Sequence, residues 1–308
     1  MTLLSTGTLR VGLDIGGTKT DAVAVASSGE IVQQVRMPTG FGPDAVLETA
    51  VAAVTRLAEL TGTAITEFTS IGIGIPGAVD NGTGRVTHAV NLGLEGLELG
   101  AELTRRLGRP VRIDNDVNAA ALGAFHLLEK HEHLSMAYLN LGTGLAAGII
   151  IDGSVWRGSR GTAGEIGHIP VDPNGPECPC GQRGCLEMLA SGSAIARQWP
   201  TDDPKPARAL FAAAAAGDRN ALDVKQRFVE NVAAAVRLLV LTVDVDSVVI
   251  GGGLSSLGRV LLDDVRAVLA SWEAASPFLA STGLSDRVAI VPVEFPAAAV
   301  GAALVGVA

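Results

Sequence analysis

Cysteine is scarce in this 308-residue chain. Only three are present, all between positions 178 and 185, an odd number too small for a disulfide framework. That usage fits a reducing compartment, so the expected location is the cytoplasm, and it directs attention to a metal instead. Long apolar runs are missing too. Ala212–Ala216 and Leu238–Val243 are far below the ~20 residues that cross a bilayer. Residues 1–10 carry Leu3, Leu4 and Arg10, but no basic segment followed by the roughly 7–15 apolar residues of a secretory leader. No Lys/Arg run occurs, and the formal net charge is -9, so a nucleic-acid partner has no positive footprint to meet. Neither nucleic acid nor a membrane is an expected partner.

Hydrophobic residues are plentiful at 48%, enough for real cores, and a chain of this length is expected to form two lobes. The 38 glycines gather in a few short runs, which reads as backbone built for ligands rather than low complexity. In Leu9–Val25, apolar residues up to Asp14 predict a buried strand, Gly16 and Gly17 a tight turn, and Asp21–Val25 a returning strand. Strand–turn–strand lacks the helix that a Rossmann or P-loop fingerprint requires. The same pattern returns in Ala137–Ile151 around Gly142-Thr143-Gly144, so two similar α/β halves are expected. Helical spacing predicts helices at Pro43–Leu60, Leu97–Leu107, Val117–Leu128, Ala207–Gly217, Ala221–Thr242, Arg259–Glu273 and Ala297–Val307. Further strands are expected at Ile71–Ile75, Val111–Ile113, Val248–Ile250 and Val288–Val293, with a loop-rich insert over 152–190.

Four residues form the sharpest chemical pattern. His168, Cys178, Cys180 and Cys185 supply one imidazole and three thiolates, amid Pro176, Pro179, Gly181 and Gly184, whose turns let the sulfurs converge. That donor set suits a closed, tetrahedral, structural Zn²⁺ site, able to contribute ~10–16 kcal/mol of apparent binding free energy to holding the insert folded. Isolated buried cysteines would stand among aliphatic residues instead. The two glycine turns are the second pattern. Gly16, Gly17, Thr18 and Lys19 after Asp14, and Gly142, Thr143 and Gly144, let backbone N–H groups approach phosphate oxygens. Asp14 suits a hydrated Mg²⁺ rather than the phosphate itself. In Ile113-Asp114-Asn115-Asp116-Val117-Asn118 a short strand runs into a helix; Asp114 or Asp116 is either a helix N-cap or a base for an acceptor hydroxyl. Glu165 and Glu187 flank the metal residues, where a solvated surface role competes with hydrogen bonding to vicinal hydroxyls. His131 and His133, Trp156, Trp199, Trp272 and the Asp21 side chain carry no functional expectation.

Taken in order, Asp14-Ile-Gly-Gly-Thr-Lys19, Asp114-Asn-Asp-Val-Asn118, Leu141-Gly-Thr-Gly144, Gly164-Glu-Ile-Gly-His168 and Cys178-Pro-Cys-Gly-Gln-Arg-Gly-Cys-Leu-Glu187 resemble the ROK family (repressor, open reading frame, kinase). The resemblance runs from about residue 10 to the C-terminus. It implies a two-lobed, ribonuclease-H-like fold of the actin and hexokinase type, with ATP and a hexose in the cleft. The expected division is a small lobe over 1–117, joined by a C-terminal helix near 296–308, and a larger lobe over 118–295 with the zinc loop at 165–187. By position, Asp116 is implied as catalytic base on the 6-hydroxyl of glucose or a related sugar. Gly77, Asn91, Asn115, Glu165, His168 and Glu187 are implied as sugar contacts, His168 also binding zinc through its other ring nitrogen. Gly251, Gly252 and Gly253 resemble the adenosine-binding segment. A homodimer is a family expectation. N-acetylglucosamine, N-acetylmannosamine, mannose, fructose and allose are alternative acceptors. The tryptophan that family kinases often carry after Asn91-Leu92 is absent. The family also contains sugar-responsive repressors, whose helix-turn-helix precedes the first phosphate motif; only thirteen residues precede Asp14 here, so a kinase is the expectation.

Overall fold

A computed structural model describes residues 8–128, 134–293 and 295–306; His131 and His133 lie outside them. Two compact units divide the chain: Met1–Lys130 with Pro296–Ala308, and His131–Phe295.

The first unit opens with β1 (Leu9–Ile15), β2 (Lys19–Ala26) and β3 (Ile31–Pro38), followed by α1 (Pro43–Thr61) and β4 (Ser70–Ile75). Three short strands follow, β5 (Ala78–Asp80), β6 (Arg85–Ala89) and β7 (Leu94–Leu97), then α2 (Leu99–Leu107), β8 (Val111–Asn115) and α3 (Asp116–Leu128). The main sheet has the order β3-β2-β1-β4-β8, with β1 antiparallel to β2 and parallel to β4, and β4 parallel to β8. β1 and β4 read as near-continuous apolar runs because both of their faces are covered. α1 starts on Pro43 and stops at Gly62 in the left-handed region, as a proline-first, glycine-last helix does.

Glycines seat the C-terminal helix, Ala297–Val305, on this sheet. A Cβ on Gly12 of β1 would overlap the Ala299 carbonyl, and one on Gly72 of β4 the Ala302 carbonyl. Gly123 of α3 and Gly301 of the C-terminal helix make the same close approach to each other's helix. This packing is why the first unit extends beyond the expected break at 117. α3 is held by the returning helix and stays with the unit that contains β1.

The second unit contains β9 (Ser135–Leu141), β10 (Leu145–Ile151) and β11 (Ser154–Val155), then a long loop region reaching α4 (Gly192–Gln198). Next come α5 (Pro206–Ala215), α6 (Arg219–Val243), β12 (Ser247–Gly251), α7 (Arg259–Ala275), α8 (Pro277–Thr282) and β13 (Val288–Ile290). The sheet order is β11-β10-β9-β12-β13, again an antiparallel hairpin extended by parallel strands. β9 and β10 thus occupy the places that β1 and β2 hold in the first unit. Asp218 accepts a hydrogen bond from the Ala221 N–H at 2.9 Å and starts α6, whose apolar face buries Phe228, Val232, Val236 and Leu239. Phe228 meets Phe211 of α5 edge to face with centroids 6.3 Å apart.

Candidate active-site residues in the two units

In the first unit the sheet register fixes the carboxylates. Asp14 pairs with Gly74, and Gly74 with Asp114, near the C-terminal ends of three parallel strands, where open α/β sheets place their ligands. Asp114 is fully buried and its Oδ1 accepts from the Asn115 N–H at 2.8 Å, so it is spent on local structure. Asn115 performs the capping: its Oδ1 accepts from the Val117 N–H at 2.9 Å and from the Asn118 N–H at 3.3 Å. Its Nδ2 donates to the Gly77 carbonyl at 3.2 Å, which ties two expected sugar contacts together. Asp116 is half-buried at the first turn of α3, with Oδ1 accepting from the Val117 N–H at 2.9 Å. Gly74 lets α3 begin this close to the sheet, since a Cβ there would lie 3.1 Å from the Ala119 Cβ and 3.4 Å from the Asp116 Cα.

The first glycine turn is closed by a hydrogen bond from the Gly16 N–H to the Lys19 carbonyl at 2.9 Å, and Gly17, Thr18 and Lys19 are exposed. Asn91 abuts Gly17, where an added Cβ would lie 3.2 Å from its own Cβ. Burial first, then the charges of Asp116 and Asp21, push the Asp14 carboxyl up to about 7, with Lys19 opposing. A divalent cation beside these carboxylates would remove that repulsion, so the donor set fits a hydrated Mg²⁺. Asp21, which carried no expectation, is buried and held by Arg36 through Nε at 2.5 Å and Nη2 at 3.2 Å, with Lys19 Nζ at 3.8 Å.

In the second unit the corresponding turn joins β9 to β10, the Gly142 N–H donating to the Gly144 carbonyl at 3.0 Å. Two further donors brace it from outside. The Gly192 N–H reaches the Gly142 carbonyl at 2.8 Å and the Ser193 N–H the Thr143 carbonyl at 3.2 Å. Gly252, with φ of 76°, packs against Asn140 and the Leu141 carbonyl, and its N–H donates to the Tyr138 hydroxyl at 3.0 Å. Beside these segments opens a cavity of ≈ 710 Å³ whose walls include Gly192, Gly253, Leu257 and, from α5, Phe211 and Ala212. Its size and apolar walls suit a planar organic group. Sequence reasoning found Gly253 but not α5, because the helical pattern of residues 206–215 carries no chemical signal of its own.

The metal residues converge. One ligand atom from each of His168, Cys178, Cys180 and Cys185 lies within 4.8 Å of all the others. Cys180 and Cys185 Sγ are 3.7 Å apart, and Cys178 Sγ is 3.8 Å from His168 Nδ1. Two thiolates on one tetrahedral Zn²⁺ with bonds of ~2.3 Å stand about 3.8 Å apart, so these residues fit the ion. Hydrogen bonds from the Gln182 backbone and side chain, and from Cys178, bring the Cys180 thiol down to about 6. Burial and the neighbouring thiols push Cys185 up to about 12. A cation is what permits such crowded thiols to ionise together. The loop is braced by Gln182 Nε2 on the His168 carbonyl at 2.9 Å and by Arg183 on Glu177 at 2.6 Å.

With Nδ1 of His168 turned to the cysteines, Nε2 is left for another partner. The Glu165 carbonyl accepts from the His168 N–H at 3.2 Å, and the Glu165 side chain is exposed. Gly167 packs on Glu187: a Cβ there would lie 3.4 Å from the Glu187 Cβ. Glu187 itself reaches the second glycine turn, its Oε2 accepting from the Leu145 N–H at 2.9 Å.

The fold and these donor sets define an α/β protein with duplicated sheets, paired glycine turns and a Cys₃His cluster that fits a metal ion. The chain belongs to the ROK family, which its sequence matches over residues 10–304. It is 35% identical to a glucokinase of Halalkalibacterium halodurans over 275 residues, covering 83% of each chain. It is 32% identical to an N-acetylmannosamine kinase of Haemophilus influenzae over 247 residues, covering 79% of each. The ROK family glucokinase from Streptomyces griseus, solved in complex with glucose and AMPPNP, superposes with a TM-score of 0.79 at 31% identity, covering 97% of this chain and 99% of that one.

Proposed function

We propose that the protein is an ATP-dependent hexose kinase that transfers the γ-phosphoryl group to the 6-hydroxyl of glucose. The observation that carries this reading is the pair of equivalent strand–glycine turn–strand hairpins, one beside Asp14 and Asp116 and one touched by Glu187 of the metal loop. Likeness to a glucokinase and to a glucose- and AMPPNP-bound relative supports the same reading.

In this scheme the N–H groups of the Gly16–Lys19 and Gly142–Gly144 turns hold the nucleotide phosphates, and Gly251–Gly253 with the ≈ 710 Å³ cavity receives the adenosine. Asn115, Gly77, Asn91, Glu165, His168 Nε2 and Glu187 hold the sugar hydroxyls. Asp116 accepts the proton of the acceptor hydroxyl as its oxygen bonds to phosphorus and the bond to the ADP oxygen breaks. Asp14 would hold a hydrated Mg²⁺ that would supply charge neutralisation for the phosphates, and His168, Cys178, Cys180 and Cys185 would hold a structural Zn²⁺ that would keep the sugar loop in shape.

N-acetylmannosamine is the second acceptor reading, favoured by the N-acetylmannosamine kinase relative. Hexose-dependent release of ADP by the purified protein tests the proposal, across glucose, mannose, fructose, allose, N-acetylglucosamine and N-acetylmannosamine. Glucose is expected to give the highest kcat/KM. Absence of ADP release with every sugar would remove the kinase reading. No described helix is long and apolar enough to cross a membrane. A cytoplasmic homodimer is the proposed working form, which equilibrium sedimentation checks.

A further inference from the structure

The Glu187 carboxylate is doing something that a sugar contact does not require. The β9–β10 hairpin pairs Leu141 with Leu145 across its turn, yet the Leu145 N–H donates to Glu187 Oε2 at 2.9 Å. The same Oε2 fills the space beside Gly144, where a methyl group would collide with it. Glu187 stands two residues after the metal-site Cys185, and its short helical turn is anchored by the Leu186 N–H on the Ile169 carbonyl at 3.0 Å. A side chain from the Cys/His loop therefore supplies the acceptor for the first N–H of β10 and fixes the shape of the turn before it, of which Thr143 is exposed.

We infer that Glu187 is a positioning residue for the Gly142–Gly144 turn, so that it tunes nucleotide affinity as well as sugar affinity and couples the two. The inference rests on the proposed kinase reading, in which that turn holds phosphate. Of the two carboxylate oxygens, Oε2 is committed to the turn and Oε1 is the one left for a sugar hydroxyl. A sugar hydrogen-bonded to Oε1 then restrains the same carboxylate that orders the turn, so each ligand strengthens the binding of the other by the same factor.

Binding measurements separate this role from sugar contact alone. Calorimetric titration of AMPPNP with Mg²⁺, in the absence of sugar, is expected to show at least a fivefold weaker Kd for Glu187→Ala than for the unaltered protein. Glu187→Gln keeps an oxygen that accepts from the Leu145 N–H, and its sugar-free Kd is expected to stay within twofold. Equal AMPPNP affinity in the alanine variant and the unaltered protein would overturn the inference. If Glu187→Ala does not fold, Gly144→Ala replaces it. Gly144 lacks a positive φ, and the atom its methyl meets is the end of a side chain, so the carboxylate is displaced while the backbone stays allowed. Glucose titrated alone is then expected to bind at least threefold more weakly, although residue 144 is not a proposed sugar contact; unchanged glucose affinity would overturn the inference. Should the unaltered protein bind neither AMPPNP nor glucose, the kinase reading fails. Should it bind both with the variants unaffected, the kinase reading stands and the positioning role of Glu187 fails.

Discussion

Asp116 and Asp114 stand two residues apart, and their surroundings assign them different work. Asp114 is sealed inside and bonded to the backbone, whereas Asp116 is half-buried at the start of α3. Asp116→Asn is expected to lower kcat by ~10²–10⁴ while glucose still binds measurably in a titration; a kcat within twofold of the unaltered enzyme would remove Asp116 as base. Asp14 gives a pH signature. With its carboxyl raised to about 7, the folded state binds that proton more tightly than the unfolded chain, whose carboxyl titrates near ~3.9. Stability contributed through Asp14 therefore falls as pH rises from about 4 to about 7 and is level above that. In nucleotide-free, Mg²⁺-free protein, the Tm gained by Asp14→Asn is expected to grow across this window. A difference that does not change with pH would contradict the assignment. The aspartates were legible because each adjoins a glycine turn or a strand-to-helix junction. Asp21 was not: its meaning depends on the β2–β3 register that puts Arg36 opposite it.

Among elements, the metal loop has almost no regular secondary structure, and its order comes from side chains. Cys180→Ser is expected to lower zinc content, Tm and glucose affinity together, checked by elemental analysis, thermal melts and calorimetry. Retention of glucose affinity after zinc loss would separate the loop from the sugar site. That His168 and the three cysteines cluster was readable from spacing, since three cysteines stand within eight residues amid glycine and proline. The small sheet β5-β6-β7 escaped notice because its strands are three to five residues long. The turn joining its first two strands depends on Asp80 Oδ1 accepting from Gly82 and Thr83 N–H groups. β3 was missed for a different reason: Gln33, Gln34 and Arg36 give an edge strand with alternating exposure. Helix packing offers a sharper test. Gly72→Ala and Gly123→Ala each force a methyl group into a backbone of the C-terminal helix, and each is expected to cost at least about 1–3 kcal/mol in urea unfolding.

Across the whole molecule, the repeated sheet order was anticipated by two glycine turns at matching strand ends. The extent of the first unit was misjudged, because the glycine-mediated contact of α3 with the C-terminal helix joins residues far apart in sequence. All three tryptophans, Trp156, Trp199 and Trp272, lie in the second unit. Deleting residues 296–308 is therefore expected to lower far-UV ellipticity while leaving tryptophan fluorescence and zinc content near those of the intact chain. Loss of the tryptophan signal as well would show that the second unit depends on the removed segment.

That returning helix also sets an order of assembly during translation. The second unit is one continuous stretch and is complete once its last strand has left the ribosome. The sheet that carries Asp14, made before the second unit, stays uncovered at Gly12 and Gly72 until the helix Ala297–Val305 has emerged. Strands made before the second unit are thus enclosed after it, and a nascent chain stalled short of residue 296 would present that bare sheet face to chaperones.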